Sequence, residues 1–183
     1  MNLDRISNLK YVVRSGWIIR GVPNALAETV AGHTFEVALI SMYLADELRR
    51  CVEIDVEKVL KISLIHDIPE VVIGDVVKLV KSRAPELFSN IELEAINELG
   101  LSSYVNLMEE LNKELTLEAK LVKLSDFTAT YLQGTRYLKT GHEEVREIVE
   151  NTKITLSKLV STWTPEECGE LIRKLLRKLG VDL

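Results

Sequence analysis

Apolar residues recur at intervals of three and four positions along most of this chain, which is the spacing of an α-helix with one buried face. The most regular stretch follows Thr116, which is placed to cap its first turn, and it buries Leu117, Leu121 and Leu124 on one side. Because such stretches account for most of the chain, the pattern predicts an all-α helical bundle. The predicted helices cover residues 3–13, 30–50, 55–66, 91–99, 102–115, 116–138 and 142–162.

Glycine, proline and small polar residues mark the places where the helical pattern stops. The stretch from Trp17 to Asn24 combines β-branched residues with Gly and Pro, which predicts an extended or looped crossing. Residues 71–73 predict a short buried helix that ends at Gly74, and a turn follows as far as Lys78. Further breaks are predicted at Pro85 and at Ser89-Asn90. A capping box, Thr164-Pro165-Glu166-Glu167, predicts the start of the last helix.

Length and composition are those of one compact domain covering residues 1–183, without repeats or low-complexity segments. The formal net charge is −5 and no basic stripe is found, so no nucleic-acid polymer is expected as a partner. No apolar run has transmembrane length, and the first residues lack the apolar core of a signal peptide. We therefore expect a cytoplasmic protein without a membrane partner. In that compartment the distant Cys51 and Cys168 are expected to be free, buried thiols.

The chemistry of the chain centres on His66-Asp67, an imidazole beside a carboxylate, with the second carboxylate of Glu70 three residues further on. Divalent transition metals accept such ligands, and His33 and Asp126 could complete the set. Each residue also has a structural explanation. Asp67, Pro69 and Glu70 fit a capping box, His33 fits a hydrogen-bonded core histidine, and Asp126 fits a salt bridge to Arg or Lys. Trp17 could likewise be only a core residue, and the charges after Gly74 only a solvated loop.

Three phrases in order identify a family resemblance. They are Glu28-Thr29-Val30-Ala31-Gly32-His33-Thr34, then His66-Asp67 with Glu70 and Gly74-Asp75, and finally Lys123-Leu124-Ser125-Asp126. Together they resemble the HD superfamily of metal-dependent phosphohydrolases, and within it the branch of bacterial 5′-deoxynucleotidases and their eukaryotic HD-domain relatives. The resemblance covers about residues 5–140. The helices over 142–180 carry no motif of the family and are expected to pack on the HD domain.

The resemblance implies a single HD-domain bundle with one divalent metal ion, which could be Mn, Co, Fe, Ni, Zn or Mg. The metal ligands would be His33, His66, Asp67 and Asp126. Glu70 would be the general acid or base next to the metal, and Asp75 a second catalytic or substrate-positioning carboxylate.

Substrate contacts carry over from the family less directly. Trp17 would lie against the sugar and help to exclude a ribose 2′-hydroxyl. Gly16 stands where the bacterial enzyme has an arginine that orients the phosphate, and Gly32 stands where the family has a glutamate. Lys81 is the preferred substitute for that arginine, because the bacterial enzyme has a lysine at the same spacing after its Gly-Asp turn. The other candidates for substrate binding are Arg14, Arg20, Asp75 and Lys78.

The implied activity is hydrolysis of the 5′-phosphate of nucleoside monophosphates, with deoxyribonucleotides preferred. Two alternatives stay open: another HD phosphohydrolase, acting on a nucleoside triphosphate, a cyclic dinucleotide or an alarmone, and a non-catalytic nucleotide-binding helical regulatory protein. A homodimer is expected by family analogy. The apolar positions of residues 91–111 and 142–160 could form its interface, or could instead close the core of the monomer.

Overall fold

The computed structural model describes residues 1–163 and 166–183, and every regular element among them is helical. The all-α bundle predicted from the sequence is therefore confirmed. The capping box over residues 164–167 involves residues outside that description. The helices are α1 (Leu3–Ile6), α2 (Ser15–Ile19), α3 (Val30–Leu48), α4 (Val56–Ile65), α5 (Glu70–Ile73), α6 (Lys78–Lys81), α7 (Pro85–Glu98), α8 (Val105–Asn112), α9 (Leu117–Lys139), α10 (Arg146–Ser161) and α11 (Glu166–Lys178).

The long helix α9 lies at the centre of the bundle and contacts α3, α4, α8 and α10. Its start matches the sequence expectation, because the Thr116 side chain accepts a hydrogen bond from the Ala119 amide at 3.3 Å. Apolar faces of α3, α4, α9, α10 and α11 share the main core, in which Leu44, Leu121 and Ile172 are fully buried. The C-terminal helices thus pack on the elements that carry the HD-like phrases.

The N-terminal segment differs from the predicted helix over residues 3–13. Helix α1 has one turn, a 3₁₀ turn over Ser7–Lys10 follows, and the chain then extends so that Val13 forms an antiparallel bridge with Thr29. Two backbone hydrogen bonds flank the bridge, Arg14 N to Glu28 O at 2.9 Å and Val30 N to Val12 O at 2.8 Å. The β-branched residues at 12 and 13 favour this extended pairing over another helical turn.

Two further boundaries correct the sequence prediction. Residues 15–19 form the short helix α2 rather than an extended crossing, and the Asp75 carboxylate accepts the Ser15 amide at its start. Helix α7 begins at Pro85, six residues earlier than predicted, because a proline at the first helical position has no amide to satisfy. The Ser89-Asn90 pair lies inside that helix and breaks nothing.

The prediction of two free cysteines is wrong. Cys51 follows the C-terminus of α3, Cys168 lies in α11, and the two form a disulfide with a Cα–Cα distance of 5.9 Å. They are 117 residues apart in sequence, so their proximity depends on how α11 docks against α3. Spacing along the chain carries no information about that contact.

The apolar positions that could have formed a dimer interface largely close the core of this chain. Ile96, Leu99 and Met108 are fully buried against α5, α7 and the residues before α8. Leu156 and Val160 of α10 are buried in the main core. The homodimer stays a prediction. No helix in the described part of the chain is long and apolar enough to cross a membrane.

Candidate metal centre

Three helices bring the predicted metal ligands together. His33 lies in the first turn of α3, which Thr29 caps by accepting the Gly32 amide at 3.1 Å. His66 and Asp67 directly follow α4, and Asp126 lies in the middle of α9. Since α3, α4 and α9 all contact one another, residues separated by more than ninety positions converge on one point.

The ligand atoms are close enough to surround one ion. His33 Nε2 is 3.0 Å from Asp126 Oδ1 and 3.8 Å from Asp67 Oδ2, and His66 Nε2 is 3.2 Å from the same Asp67 oxygen. One ligand atom each from His33, His66 and Asp126 lies within 4.8 Å of the others. The set of two nitrogen and two oxygen ligands suits a first-row divalent metal.

The tautomer of His66 supports this fit. Its Nδ1 is 2.7 Å from the Ser63 carbonyl oxygen, which accepts but cannot donate, so Nδ1 carries the proton. The lone pair is then on Nε2, which is buried and has no hydrogen-bond partner among the described residues. A buried imidazole nitrogen with a free lone pair aimed at two carboxylates is the arrangement that metal binding requires.

Two of the structural explanations considered for these residues are not borne out, whereas His33 is fully buried and hydrogen-bonded to Asp126, as the explanation of it as a core histidine predicts. Helix α5 begins at Glu70 with Pro69 before it, and no side chain caps that start, so the Asp67 capping box is not formed. Asp126 contacts His33, and no Arg or Lys within the described ranges forms a salt bridge with it. The carboxylates of Asp67 and Asp126 thus face the histidines.

The charges in the centre reinforce one another. Burial and Arg14 lower the pKa of His33, but the carboxylates of Asp126 and Glu28 outweigh them and raise it to about 9. Burial raises the pKa values of Asp67 and Asp126, yet the neighbouring histidines hold both below the ordinary value. The two carboxylates are therefore ionised at neutral pH, as metal ligands must be.

Glu70 is set apart from the other carboxylates. Its side chain is 5% exposed, and burial together with the charges of Asp67 and Asp75 raises its pKa to about 10. Lys81 approaches Glu70 Oε1 at 3.4 Å and donates to Glu92 Oε1 at 2.9 Å. Although burial lowers the pKa of Lys81, those two glutamates raise it above its ordinary value. At neutral pH Glu70 is therefore protonated and lies beside the charged ammonium group of Lys81.

Asp75 holds the start of α2. Its Oδ2 accepts a hydrogen bond from the Ser15 amide at 2.5 Å, and the Ser15 hydroxyl is 2.5 Å from the same oxygen. Ser15 was not predicted as a functional residue, because no motif in the sequence marks it. The contact fixes the segment that carries both Arg14 and Trp17.

The guanidinium of Arg14 is influenced by the charges of the carboxylates of the centre. Burial lowers its pKa, but Glu28, Asp126, Asp67 and Asp75 raise it above the ordinary value. Its Nη1 is buried and lacks a hydrogen-bond partner in the part of the chain that the structure describes. A buried guanidinium nitrogen without an acceptor can receive an anion.

The remaining substrate candidates lie in different surroundings. Arg20 forms a salt bridge with Glu147 at 2.6 Å, and Lys78 lies over the Phe127 ring, 4.3 Å from its centroid. Trp17 is only 2% exposed and packs in a small core cluster, as the interpretation as a core residue predicts. Its indole nitrogen donates to Glu28 Oε2 at 3.1 Å. Glu28 opens the first of the three family phrases, but no role was predicted for it from the sequence.

Comparison with known proteins adds the family. A family model described as HD domain matches residues 6–163. The chain belongs to the HD-domain family. The 5′-deoxynucleotidase HDDC2 of Dictyostelium discoideum is 32% identical to this HD-domain chain over 147 residues, covering 74% of the chain and 75% of that protein. The protein of the same name from Danio rerio is 26% identical over 138 residues, covering 72% of the chain and 66% of that protein.

A solved structure agrees over nearly the whole chain. A conserved hypothetical protein from Pyrococcus furiosus is 35% identical, with a TM-score of 0.81, covering 96% of this chain and 97% of that one. The predicted family resemblance is confirmed, and the curated relatives support a hydrolase of the HD family.

Proposed function

We propose that this chain is a metal-dependent 5′-nucleotidase that prefers deoxyribonucleoside monophosphates and releases a nucleoside and phosphate. The observation that carries the proposal is the pairing of two kinds of group at one point. His33, His66 and Asp126 can hold a divalent ion, with Asp67 close to both histidines, and near Asp67 stands Glu70 with a proton at neutral pH. The names of the curated relatives supply the substrate class.

The four ligands would hold one ion, through His33 Nε2, His66 Nε2 and the carboxylates of Asp67 and Asp126. A divalent metal bound there supplies a Lewis acid for a phosphoryl oxygen and lowers the pKa of water. Two ionised carboxylates repel the negative charge of a phosphate, so cationic side chains of this chain must stand nearby to offset that repulsion.

Arg14 is our choice for the cation that binds the phosphate. Its buried Nη1 has no acceptor among the described residues, whereas Lys81, the residue preferred from sequence, has two glutamates as partners. Arginine also offers paired donors that match phosphate oxygens. In this assignment Arg14 takes the part of the arginine that Gly16 replaces.

Glu70 acts as the general acid. A carboxyl group with a pKa of about 10 stays protonated at pH 7 and can donate its proton to the leaving 5′-oxygen. Lys81 then stabilises the carboxylate that remains, since its ammonium group is 3.4 Å from Glu70 Oε1. Asp75 holds Ser15 and so the Arg14 segment. Lys78, whose ammonium group lies over the Phe127 ring, is our further candidate for a contact with the nucleotide.

The test of the function is phosphate release from dAMP, dCMP, dGMP, TMP and the matching ribonucleotides by chelated protein, before and after Mn²⁺, Co²⁺, Mg²⁺ or Zn²⁺ is added. Metal-restored release of orthophosphate, greater from the deoxy set, is the expected result. Release of tripolyphosphate from triphosphates would reassign the chain to another HD activity. Nucleotide binding without hydrolysis under any metal would make it a regulatory protein.

The test of the phosphate clamp compares two arginines. R14A should lower kcat/KM roughly hundredfold or more, because a donor aimed at the reacting phosphate is lost. R20A, whose arginine is already paired with Glu147, should stay near the parent. A larger loss of kcat/KM in R20A than in R14A would exclude Arg14 as the phosphate clamp. So would a K81A variant that loses more kcat/KM than R14A, with the whole loss in KM.

A further inference from the structure

Glu28 lies between the metal centre and a buried aromatic pair. Its side chain is 7% exposed, and its two oxygens face different partners. Oε2 accepts the Trp17 indole N–H at 3.1 Å, and Oε1 is 3.8 Å from His33 Nδ1. That ring nitrogen is on the side of His33 away from Asp126, and it has no hydrogen-bond partner in the described ranges. A carboxylate oxygen of Glu28 therefore lies just beyond hydrogen-bond distance of a buried ring nitrogen that lacks a partner among the described residues.

The aromatic pair fixes the position of Glu28. Tyr137 Oη accepts the Glu28 amide at 2.7 Å and donates to the Leu26 carbonyl at 3.0 Å. Tyr137 also packs edge-on against Trp17, with the ring centroids 5.2 Å apart. Gly134 gives the indole its space, since a Cβ there would stand 3.3 Å from Trp17 Cη2. Both the backbone and the side chain of Glu28 are therefore held by rings that pack on each other.

A histidine that binds a metal through one nitrogen needs an acceptor at the other. That acceptor selects the tautomer, fixes the ring orientation and raises the basicity of the ligand nitrogen. His66 has the Ser63 carbonyl oxygen in this place at 2.7 Å. For His33, with Nε2 directed at the ion, the Glu28 carboxylate lies on the Nδ1 side at 3.8 Å. A carboxylate there increases ligand basicity more than a neutral carbonyl does.

We propose that Glu28 is the positioning residue of the metal ligand His33, and that Trp17 acts on the metal centre through Glu28. The inference rests on the metal centre of the proposed function. It gives Trp17 a part that is separate from any contact with the sugar. The indole N–H holds one carboxylate oxygen, so that the other oxygen is directed at His33 Nδ1.

The first measurement is the affinity for Mn²⁺ alone, from electron paramagnetic resonance of the free ion, with no nucleotide present. E28A should weaken Mn²⁺ binding about 10- to 100-fold, which is the usual effect of removing such an acceptor. E28Q keeps the size of the side chain but has only one accepting oxygen, so it should also weaken binding. The matched control is E36Q, on the same helix as His33, whose carboxylate pairs with Arg136 and should leave affinity unchanged.

The second measurement separates Trp17 as a support from Trp17 as a sugar contact. If Trp17 acts through Glu28, then W17F weakens Mn²⁺ binding, and adding W17F to E28Q causes no further loss. If Trp17 only touches the sugar, then W17F changes the ratio of deoxy to ribo activity and leaves Mn²⁺ affinity at the parental value. The second result would overturn the part assigned to Trp17.

The third measurement is spectroscopic and does not depend on affinity. The chain has two tryptophans, so a ¹⁵N-labelled sample shows two indole N–H signals, and W17F assigns them. Adding Zn²⁺ should shift the Trp17 signal, because His33 and the indole share Glu28. The Trp163 signal should not move. In E28Q the Zn²⁺-dependent shift should disappear, although Zn²⁺ at saturating concentration is still bound.

These measurements test the role of Glu28 separately from the proposed metal centre. If the parent protein binds neither Mn²⁺ nor Zn²⁺, the metal centre and the inference are both wrong. If the parent binds metal but E28A and E28Q bind as tightly, only the inference is wrong. A lower melting temperature with unchanged affinity and an unchanged Trp17 shift would make Glu28 a purely structural residue and would also overturn it.

Discussion

Reduction of the Cys51–Cys168 disulfide should strongly destabilise the protein. A cross-link stabilises the folded state mainly by limiting the unfolded chain, and the effect grows with the length of the closed loop. Here the bonded residues are 117 positions apart. For a loop of that length the chain-entropy relation gives about 5 kcal/mol at 25 °C.

That free energy converts into a shift in melting temperature. Unfolding entropy is about 2.1 cal/mol/K per residue near 60 °C, so for a chain of this length a loss of about 5 kcal/mol lowers Tm by about 13 °C. The site of the cross-link adds to the argument, since it joins the end of α3 to α11, and α11 supplies Ile172 and Leu175 to the main core.

The assay is thermal unfolding followed by circular dichroism, with and without a phosphine reductant, and intact mass to confirm complete reduction. The matched control is C51A, which cannot form the bond and should respond to the reductant by less than about 1 °C. A parent protein that is fully reduced by mass, yet keeps its Tm within about 3 °C, would refute the reasoning.

Three further predictions concern the metal centre and its packing. Because the pKa of His33 is about 9, its ring must lose a proton to bind a metal at neutral pH, so Mn²⁺ affinity should rise about tenfold per pH unit up to about pH 9; affinity that calorimetry finds constant from pH 6 to 9 would contradict this. The pKa of Glu70 in the folded protein, about 10, exceeds its ordinary value of 4.5, so the free energy of unfolding falls as the pH rises between those two values. E70Q removes this loss and should raise the Tm of metal-free protein at pH 8 but not at pH 4. Equal changes in Tm at both pH values would contradict the prediction. A Cβ at Gly134 would stand 2.6 Å from Val149 Cγ2, so urea unfolding should show G134A destabilised by about 1–3 kcal/mol. The control is G16A, because a Cβ at Gly16 has no atom within 4 Å, and a G134A variant more stable than the parent would refute the clash.

The elements that sequence predicted well are those whose apolar faces pack along their full length. The regular stripe after Thr116 became α9, and the apolar pattern correctly put His33 in the first turn of a helix and Asp126 inside one, with His66 at the end of a third. The resemblance to the family singled out Glu70 as a catalytic residue. Its raised pKa depends on burial, which the sequence of residues 67–73 does not reveal. That the chain is one HD domain over residues 1–183 stays a prediction.

The predictions that failed depend on contacts between distant segments. Residues 12–14 pair with 28–30 instead of continuing a helix, and the start of α2 depends on Asp75, sixty positions after Ser15. Neither partner is visible in local composition. The choice between Lys81, preferred from sequence, and Arg14, which we propose as the phosphate ligand, also depends on distant contacts, because the two glutamates beside Lys81 lie in α5 and α7.

The bridge between Val13 and Thr29 also sets which changes of chain length the site can tolerate. Successive side chains of an extended segment point to opposite sides, so a shift by one residue turns the whole segment over. An insertion among residues 20–26 would lengthen a loop and leave the pairing intact. An insertion between Val13 and Trp17 would change the orientation of the Trp17 indole relative to Arg14. We expect natural length variation in such chains to gather in the loop before Glu28 and to avoid the four residues that follow Val13.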